Sequence, residues 1–123
     1  MGTHFVVTNE SQVHENYKDM IIKARDIDSR VTGRSTGHPV RALRNQMTKE
    51  YLQKEQEGAS FEELELLTLG GLRKAVVEGD VKTGSVMAGQ IAGMVKEKMS
   101  CHDLIQKLVK ETDDLIGGKG FYE

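Results

Sequence analysis

GDVKTGSVMAGQIAGMVKEK, residues 79–98, is the stretch whose reading decides the fold. It follows an acidic, glycine-containing turn and reads as a helix from about Ser85 to Val95. Yet its first turns carry Ser85, Ala88, Gly89, Ala92 and Gly93, side chains too small to contribute much packing of their own. Physics offers two explanations. Either another backbone packs very close, or a ligand sits at the helix N-terminus, where free N–H groups and the dipole favour polar or anionic groups. On residue chemistry alone the plainer account is Ser85 as N-cap and Gly89/Gly93 as packing sites, with Gln90 a further polar group one turn on.

Helical signals surround this stretch. Upstream, LGGLRKAVVEGD places Leu69, Leu72, Ala75 and Val76 on one face and stops at Gly79. SFEELELL opens on a Ser60/Glu63 capping box, and NQMTKEYLQKEQEG runs from a candidate N-cap at Asn45 to Gly58 with Met47, Tyr51 and Leu52 as its apolar side. Downstream, SCHDLIQKLVKETDDLIGG starts at a Ser100/Asp103 box and carries its apolar pattern at positions 104, 105, 108, 109, 112, 115 and 116. Near the start, Tyr17, Met20, Ile21 and Ala24 repeat at helical spacing. Between these, Ile27, Ser29 and Val31 alternate, and Gly33, Gly37 and Pro39 follow, which predicts two short extended segments around a turn-rich loop. HFVV (His4–Val7) is expected to be the end of one buried strand. A lone buried strand cannot satisfy its own backbone groups, so the chain reads as the end of something larger.

The totals set limits. A chain of 123 residues is the size of one domain. Lys and Arg number 17 against 19 Asp and Glu, which gives no general reason to expect a nucleic acid partner. There is no apolar run of membrane-spanning length and no secretory signal pattern. The single cysteine, Cys101, excludes an internal disulfide and fits a reducing, cytoplasmic setting.

Three groups of residues are chemical candidates. Met1, Gly2 and Thr3 precede an apolar run, and a glycine beside a hydroxyl residue there presents backbone N–H groups suited to a phosphate; a plain turn has the same composition. Ser85 is the second, as above. The third is GRSTGHPVRALRN, where Arg34, His38, Arg41 and Arg44 form a basic cluster suited to a phosphate or carboxylate, or else a solvated loop paired with Glu62–Glu65. No paired His/Cys spacing suggests a metal.

Taken together, MGTHFVVTNES…HENYKDMIIKARDID, TGRSTGHPVRALRN and KAVVEGDVKTGSVMAGQIAGMV, in that order, resemble the C-terminal part of the nitronate monooxygenase (2-nitropropane dioxygenase) family, which includes the flavin-type enoyl-ACP reductase II. The resemblance covers nearly the whole chain. It implies an α/β fold, a C-terminal fragment of an FMN-binding TIM barrel with a small, mostly helical inserted domain, the chain itself being mainly α. Residues 1–22 would be the end of the last barrel strand, the phosphate loop and the next helix; 23–81 the inserted substrate domain; and 82–123 the flavin-covering loop and last barrel helix. Met1, Gly2 and Thr3 would cradle the FMN phosphate, and Ser85 would approach the flavin ring. Relatives usually carry Arg where this chain has His4, so His4 is not counted among the contacts. His38, Arg41, Arg44 and Gln90 would meet substrate or a phosphorylated cosubstrate such as NAD(P)H. The family's catalytic histidine lies upstream, so no catalytic residue is expected in this chain. The implied partners are the missing N-terminal barrel portion and a small-molecule or acyl-thioester substrate, and a chain alone should self-associate. The rival expectation is a catalytically inactive fragment or helical interaction module.

Overall fold

The computed structural model describes residues 1–117. Six α-helices and one hairpin follow in the order α1 (Gly2–Val6), α2 (Glu15–Lys23), β1 (Ser29–Thr32), β2 (Val40–Leu43), α3 (Gln46–Gln56), α4 (Phe61–Thr68), α5 (Gly71–Arg73) and α6 (Cys101–Leu115). The helix starts follow from their caps. His14 accepts the Asn16 N–H through Nδ1, 3.0 Å, and opens α2. Asn45 and Thr48 form a reciprocal capping box on α3, and Ser60 and Ser100 accept the N–H groups of Glu63 and Asp103 on α4 and α6. Asn45 does more than cap. Its Nδ2 donates to Val81 O and Gly84 O, both at 2.8 Å, so one amide starts α3 and fastens a segment 36 or more residues away.

The two extended segments pair antiparallel as expected, Ser29 with Leu43 through Thr32 with Val40. Their loop turns on Gly33 at φ +81°, where a Cβ would lie 2.4 Å from His38 O. The main core gathers Val7, Tyr17, Ile21, Leu43, Ala75, Val86 and Val95, and a satellite cluster of Met47, Tyr51 and Leu64 joins α3 to α4.

Three expectations are corrected. The run around His4–Val7 is no strand; Gly2–Val6 forms helix α1. No strand is available to pair with it among the described residues, and the backbone satisfies itself locally, Phe5 N–H to Met1 O and Thr8 N–H to Phe5 O. Second, Ser85–Val95 is no α-helix and Ser85 caps nothing. Residues 85–88 lie in no helix and their backbone is taken by others: Ser85 N–H donates to Gly71 O (2.9 Å), Leu43 N–H to Val86 O (2.8 Å), and Met87 bridges Ala42. Only Gln90–Met94 coils, as a 3-10 turn. The small residues answer to the first of the two explanations, close backbone approach: a Cβ on Gly93 would sit 2.8 Å from Asp26 N, and one on Gly84 2.9 Å from Gly71 O. Third, Leu69 leaves the helical face. It follows α4, is exposed, and is separated from α5 by the left-handed Gly70; α5 then continues as a π turn at Lys74–Glu78 and ends at Gly79.

The entrance to α6 is tied back by carboxylates. Glu10 accepts the Cys101 N–H (2.9 Å to Oε2), and Lys98 joins Glu15 (2.9 Å) and Asp19. The Cys101 N–H holds the Glu10 carboxyl below its ordinary pKa, and Lys98 does the same for Glu15 and Asp19. A depressed folded pKa stabilises above the unfolded value and is lost as pH falls through the folded one. In an NMR pH titration the Glu10 carboxyl should therefore titrate below an ordinary glutamate, with the Cys101 amide shift following it. A Glu10 midpoint at or above the ordinary value would contradict this capping bond.

Among the described residues no helix is long and apolar enough to cross a membrane.

Candidate functional site

A cleft of about 250 Å³ opens between the hairpin, α3, α4 and residues 85–87. Local geometry explains each wall. The strand period of two puts Thr32, Val40 and Ala42 on one face of the hairpin. Met47 and Tyr51 stand one turn apart on α3, and Phe61, Glu65 and Thr68 recur at i, i+4 and i+7 on α4. The His38 ring lies tilted against Phe61, centroids 6.4 Å apart. Thr32, Ala42, Met47, Tyr51 and Ser85 are buried, while His38, Phe61, Glu65 and Met87 are exposed. Burial, with a smaller push from Glu55, raises the Tyr51 hydroxyl above its ordinary pKa, so it stays a neutral donor.

The strip from Ser85 to Gly89 forms one wall and is pinned at almost every residue. Beyond the bonds of Ser85 and Val86, the Tyr17 hydroxyl donates to Met87 O (2.6 Å), Ala88 N–H reaches Arg41 O (3.4 Å), and Gly89 N–H donates to Thr3 Oγ1 (2.9 Å). Burial raises the Tyr17 pKa as well, keeping that donor protonated. Gly71 makes room for Ser85: a Cβ there would be 2.6 Å from the Ser85 hydroxyl. The strip thus runs from the cleft to the start of α1.

Of the residues singled out in the sequence, Ser85 and His38 line the cleft. Thr3 is buried with its hydroxyl engaged by Gly89, whereas Met1 and Gly2 are exposed and a Cβ on Gly2 would meet nothing within 4 Å. The first bond of α1 is Phe5 N–H to Met1 O, so the N–H groups of Gly2, Thr3 and His4 have no acceptor one turn back. Arg41 turns away from the cleft, its Nη1 donating to Ser29 Oγ (2.8 Å), and Arg44 lies 3.5 Å from Asp28. Asp28, beside Arg44, and Glu55, which accepts the Ser35 N–H (3.0 Å) and hydroxyl (2.7 Å), are the acids that meet the basic segment, rather than Glu62–Glu65; Arg25 holds the Asp28 carboxyl below the ordinary pKa. Gln90 is exposed at the head of the 3-10 turn and does not line the cleft.

The sequence reading missed Tyr51, Phe61, Met47 and Met87 as lining residues. A signal existed: Met47 and Tyr51 stand at i, i+4 on one helix, and Phe61 and Glu65 at i, i+4 on the next. Chemically the arrangement is a largely apolar slot with hydroxyls from Thr32, Thr36, Tyr51 and Ser85. It suits binding and orienting a chain with few polar atoms. Among the described residues, no histidine is hydrogen-bonded to a serine, cysteine or carboxylate side chain, and no group of three His, Cys, Asp or Glu is placed to hold a metal.

The family profile for nitronate monooxygenase matches residues 1–111. Probable nitronate monooxygenases from Staphylococcus saprophyticus and Bacillus subtilis are 27% and 26% identical over 116 and 111 residues, covering 94% and 90% of this chain and 32% of each relative. The structure of FabK from Thermotoga maritima superimposes with a TM-score of 0.89 at 40% identity, over 96% of this chain and 37% of that one. A point mutant of that FabK gives 0.79 at 36% identity, over 96% and 35%. The chain therefore spans about a third of the length of the relatives it matches.

Proposed function

The chain belongs to the nitronate monooxygenase family, and on that premise we propose that it is the C-terminal portion of an FMN-dependent oxidoreductase of the enoyl-ACP reductase II or nitronate monooxygenase type. The observation that carries this is the likeness to FabK at 40% identity across nearly the whole chain. On this reading α1 and α6 belong to a TIM barrel, residues 23–81 form the inserted substrate domain, and the strip Ser85–Gly89 crosses from one to the other.

The residues present fit the cofactor. The open N–H groups of Gly2, Thr3 and His4 suit phosphate oxygens, and the bare Gly2 leaves the backbone approachable. Bound FMN would pass electrons between NAD(P)H and an enoyl thioester, or between a nitronate and oxygen. The chain's own part is positional. Thr3, through Gly89, ties the phosphate end to the strip that carries Ser85; Ser85 offers a hydroxyl beside the slot; Tyr51, Phe61, Met47 and Met87 exclude water from an apolar substrate. His38 stands at the mouth, where an imidazole suits a polar head group. Arg41 and Gln90 do not face the cleft and keep no part in it.

Grafting this chain into Thermotoga maritima FabK in place of the matching segment tests the reading. The chimera should oxidise NAD(P)H with a crotonyl thioester or consume oxygen with a nitronate, and which of the two it does identifies the branch. A folded, flavin-loaded chimera inert in both assays would defeat it.

A second reading, a non-catalytic interaction module, is favoured by one observation. Ile105, Val109 and Leu115 of α6 are exposed, at 49%, 53% and 88%. On either reading the isolated chain self-associates through this face, which sedimentation velocity would register; only the module reading predicts that the chimera fails.

A further inference from the structure

A second depression, of about 300 Å³, lies between the end of β1 and the face of α3 turned away from the cleft, and it shares no residue with the cleft. We propose that it binds a phosphomonoester dianion carrying an apolar or aromatic body. Among the described residues three cations line it, Arg30, Arg44 and Lys49, and no carboxylate does, in a chain whose net charge is −2. That local reversal of sign is the central observation.

Arg30 is already set in place. Its Nη1 donates to the carbonyls of Ile27 and Ser29, the latter at 2.9 Å, so its guanidinium is oriented before any ligand arrives. Its other N–H groups have no acceptor among the described residues. Arg44 has only a loose contact, 3.5 Å to Asp28, and Asp28 is already bonded by the Arg25 backbone N–H at 2.9 Å and its guanidinium at 3.2 Å. Lys49 has no carboxylate partner among the described residues. Guanidinium and ammonium groups in one concavity match the several acceptor oxygens of a phosphomonoester. The half-buried Leu52 offers an apolar surface for the ligand's body, and Gln53 and Gln56 add amide donors. A merely solvated basic edge would need neither the concavity nor a guanidinium anchored on backbone carbonyls.

The test is titration of the isotope-labelled full chain with phenyl phosphate, followed by amide NMR, with phenol as the uncharged control. The expected result is saturable shifts confined to residues 28–30 and 44–56, absent with phenol and weakened by added salt. Lys49→Gln, which removes no side-chain hydrogen bond or ion pair among the described residues, should reduce affinity about fivefold, near the upper end for one exposed ion pair. Arg44→Gln with Lys49→Gln should reduce it further, and Lys107→Gln on α6 should not alter it. Shifts that never saturate, that phenol reproduces, or that Lys49→Gln leaves unchanged would overturn the proposal. The amides of Gly2 to His4 report the flavin-phosphate site separately, so either proposal can fail without the other.

Discussion

An alanine at Gly84 is expected to destabilise this chain by about 3 kcal/mol, the upper part of the range for forcing atoms into a packed interior. The new Cβ would lie 2.4 Å from Asp80 O and 2.9 Å from both Ala75 N and Gly71 O. All three are backbone atoms, so no side chain can swing aside. The position is also where Asn45 and Asp80 converge: Gly84 O accepts from Asn45 Nδ2 and Gly84 N–H donates to Asp80 O at 3.1 Å. Displacing it would therefore loosen the start of α3 and the Ser85 wall together. Alanine at Gly2, by contrast, meets open space in a helical turn and should leave stability unchanged or slightly raised. Urea unfolding of the two variants beside the parent measures the difference; a Gly84→Ala midpoint within experimental error of the parent's would refute the close approach.

The second large effect is at Lys18. Its side chain is 2% exposed, and its ammonium donates to Thr8 O at 2.8 Å and Ser11 O at 2.9 Å. Glu15 also stands 3.4 Å away, but that carboxylate's side chain is 65% exposed. The two carbonyls belong to the loop that follows α1, so Lys18 holds that loop on α2. Lys18→Met keeps the stem's length and removes the donors. It relieves the desolvation of the ammonium, yet leaves Ser11 O without its donor, at about 1–3 kcal/mol, and Thr8 O with the Ser11 N–H alone. A net loss of about 2 kcal/mol is expected. Glu15→Gln should leave the unfolding midpoint close to the parent's, because an exposed carboxylate is solvated and screened. Equal effects from the two variants would mean that the ion pair, and not the carbonyl bonds, carries the stability.

What the sequence made legible was whatever its chemistry determines within a few residues. Asn45, Ser60 and Ser100 announce their helices because a cap acts on the next turn. Gly33, Gly37 and Pro39 announce the hairpin because turn geometry is set by φ. The stretch from Ser85 to Val95 misled because its helical spacing is real, while its conformation is decided at long range by Gly71 O, Leu43 N–H and the Thr3 hydroxyl. Apolar His4–Val7 misled for a related reason: β-branched residues favour a strand only where a partner strand exists. The site was half legible. Ser85 and His38 were found as polar groups in unusual surroundings, whereas Tyr51 and Phe61 looked like ordinary helix-face residues until the two helices met. Arg44 was picked out for its charge, but the depression it lines depends on Arg30 and Lys49, which only the packing of β1 against α3 brings near it.

The most direct measurement of the central claim is the FMN content of the FabK chimera, with and without Gly2→Val. Gly2 makes no contact here that a side chain would disturb, so the variant should fold as well as its parent. If the start of α1 cradles the flavin phosphate, the parent chimera purifies with bound FMN and Gly2→Val loses most of it. Equal flavin in both, or a folded parent chimera with none, would contradict the account.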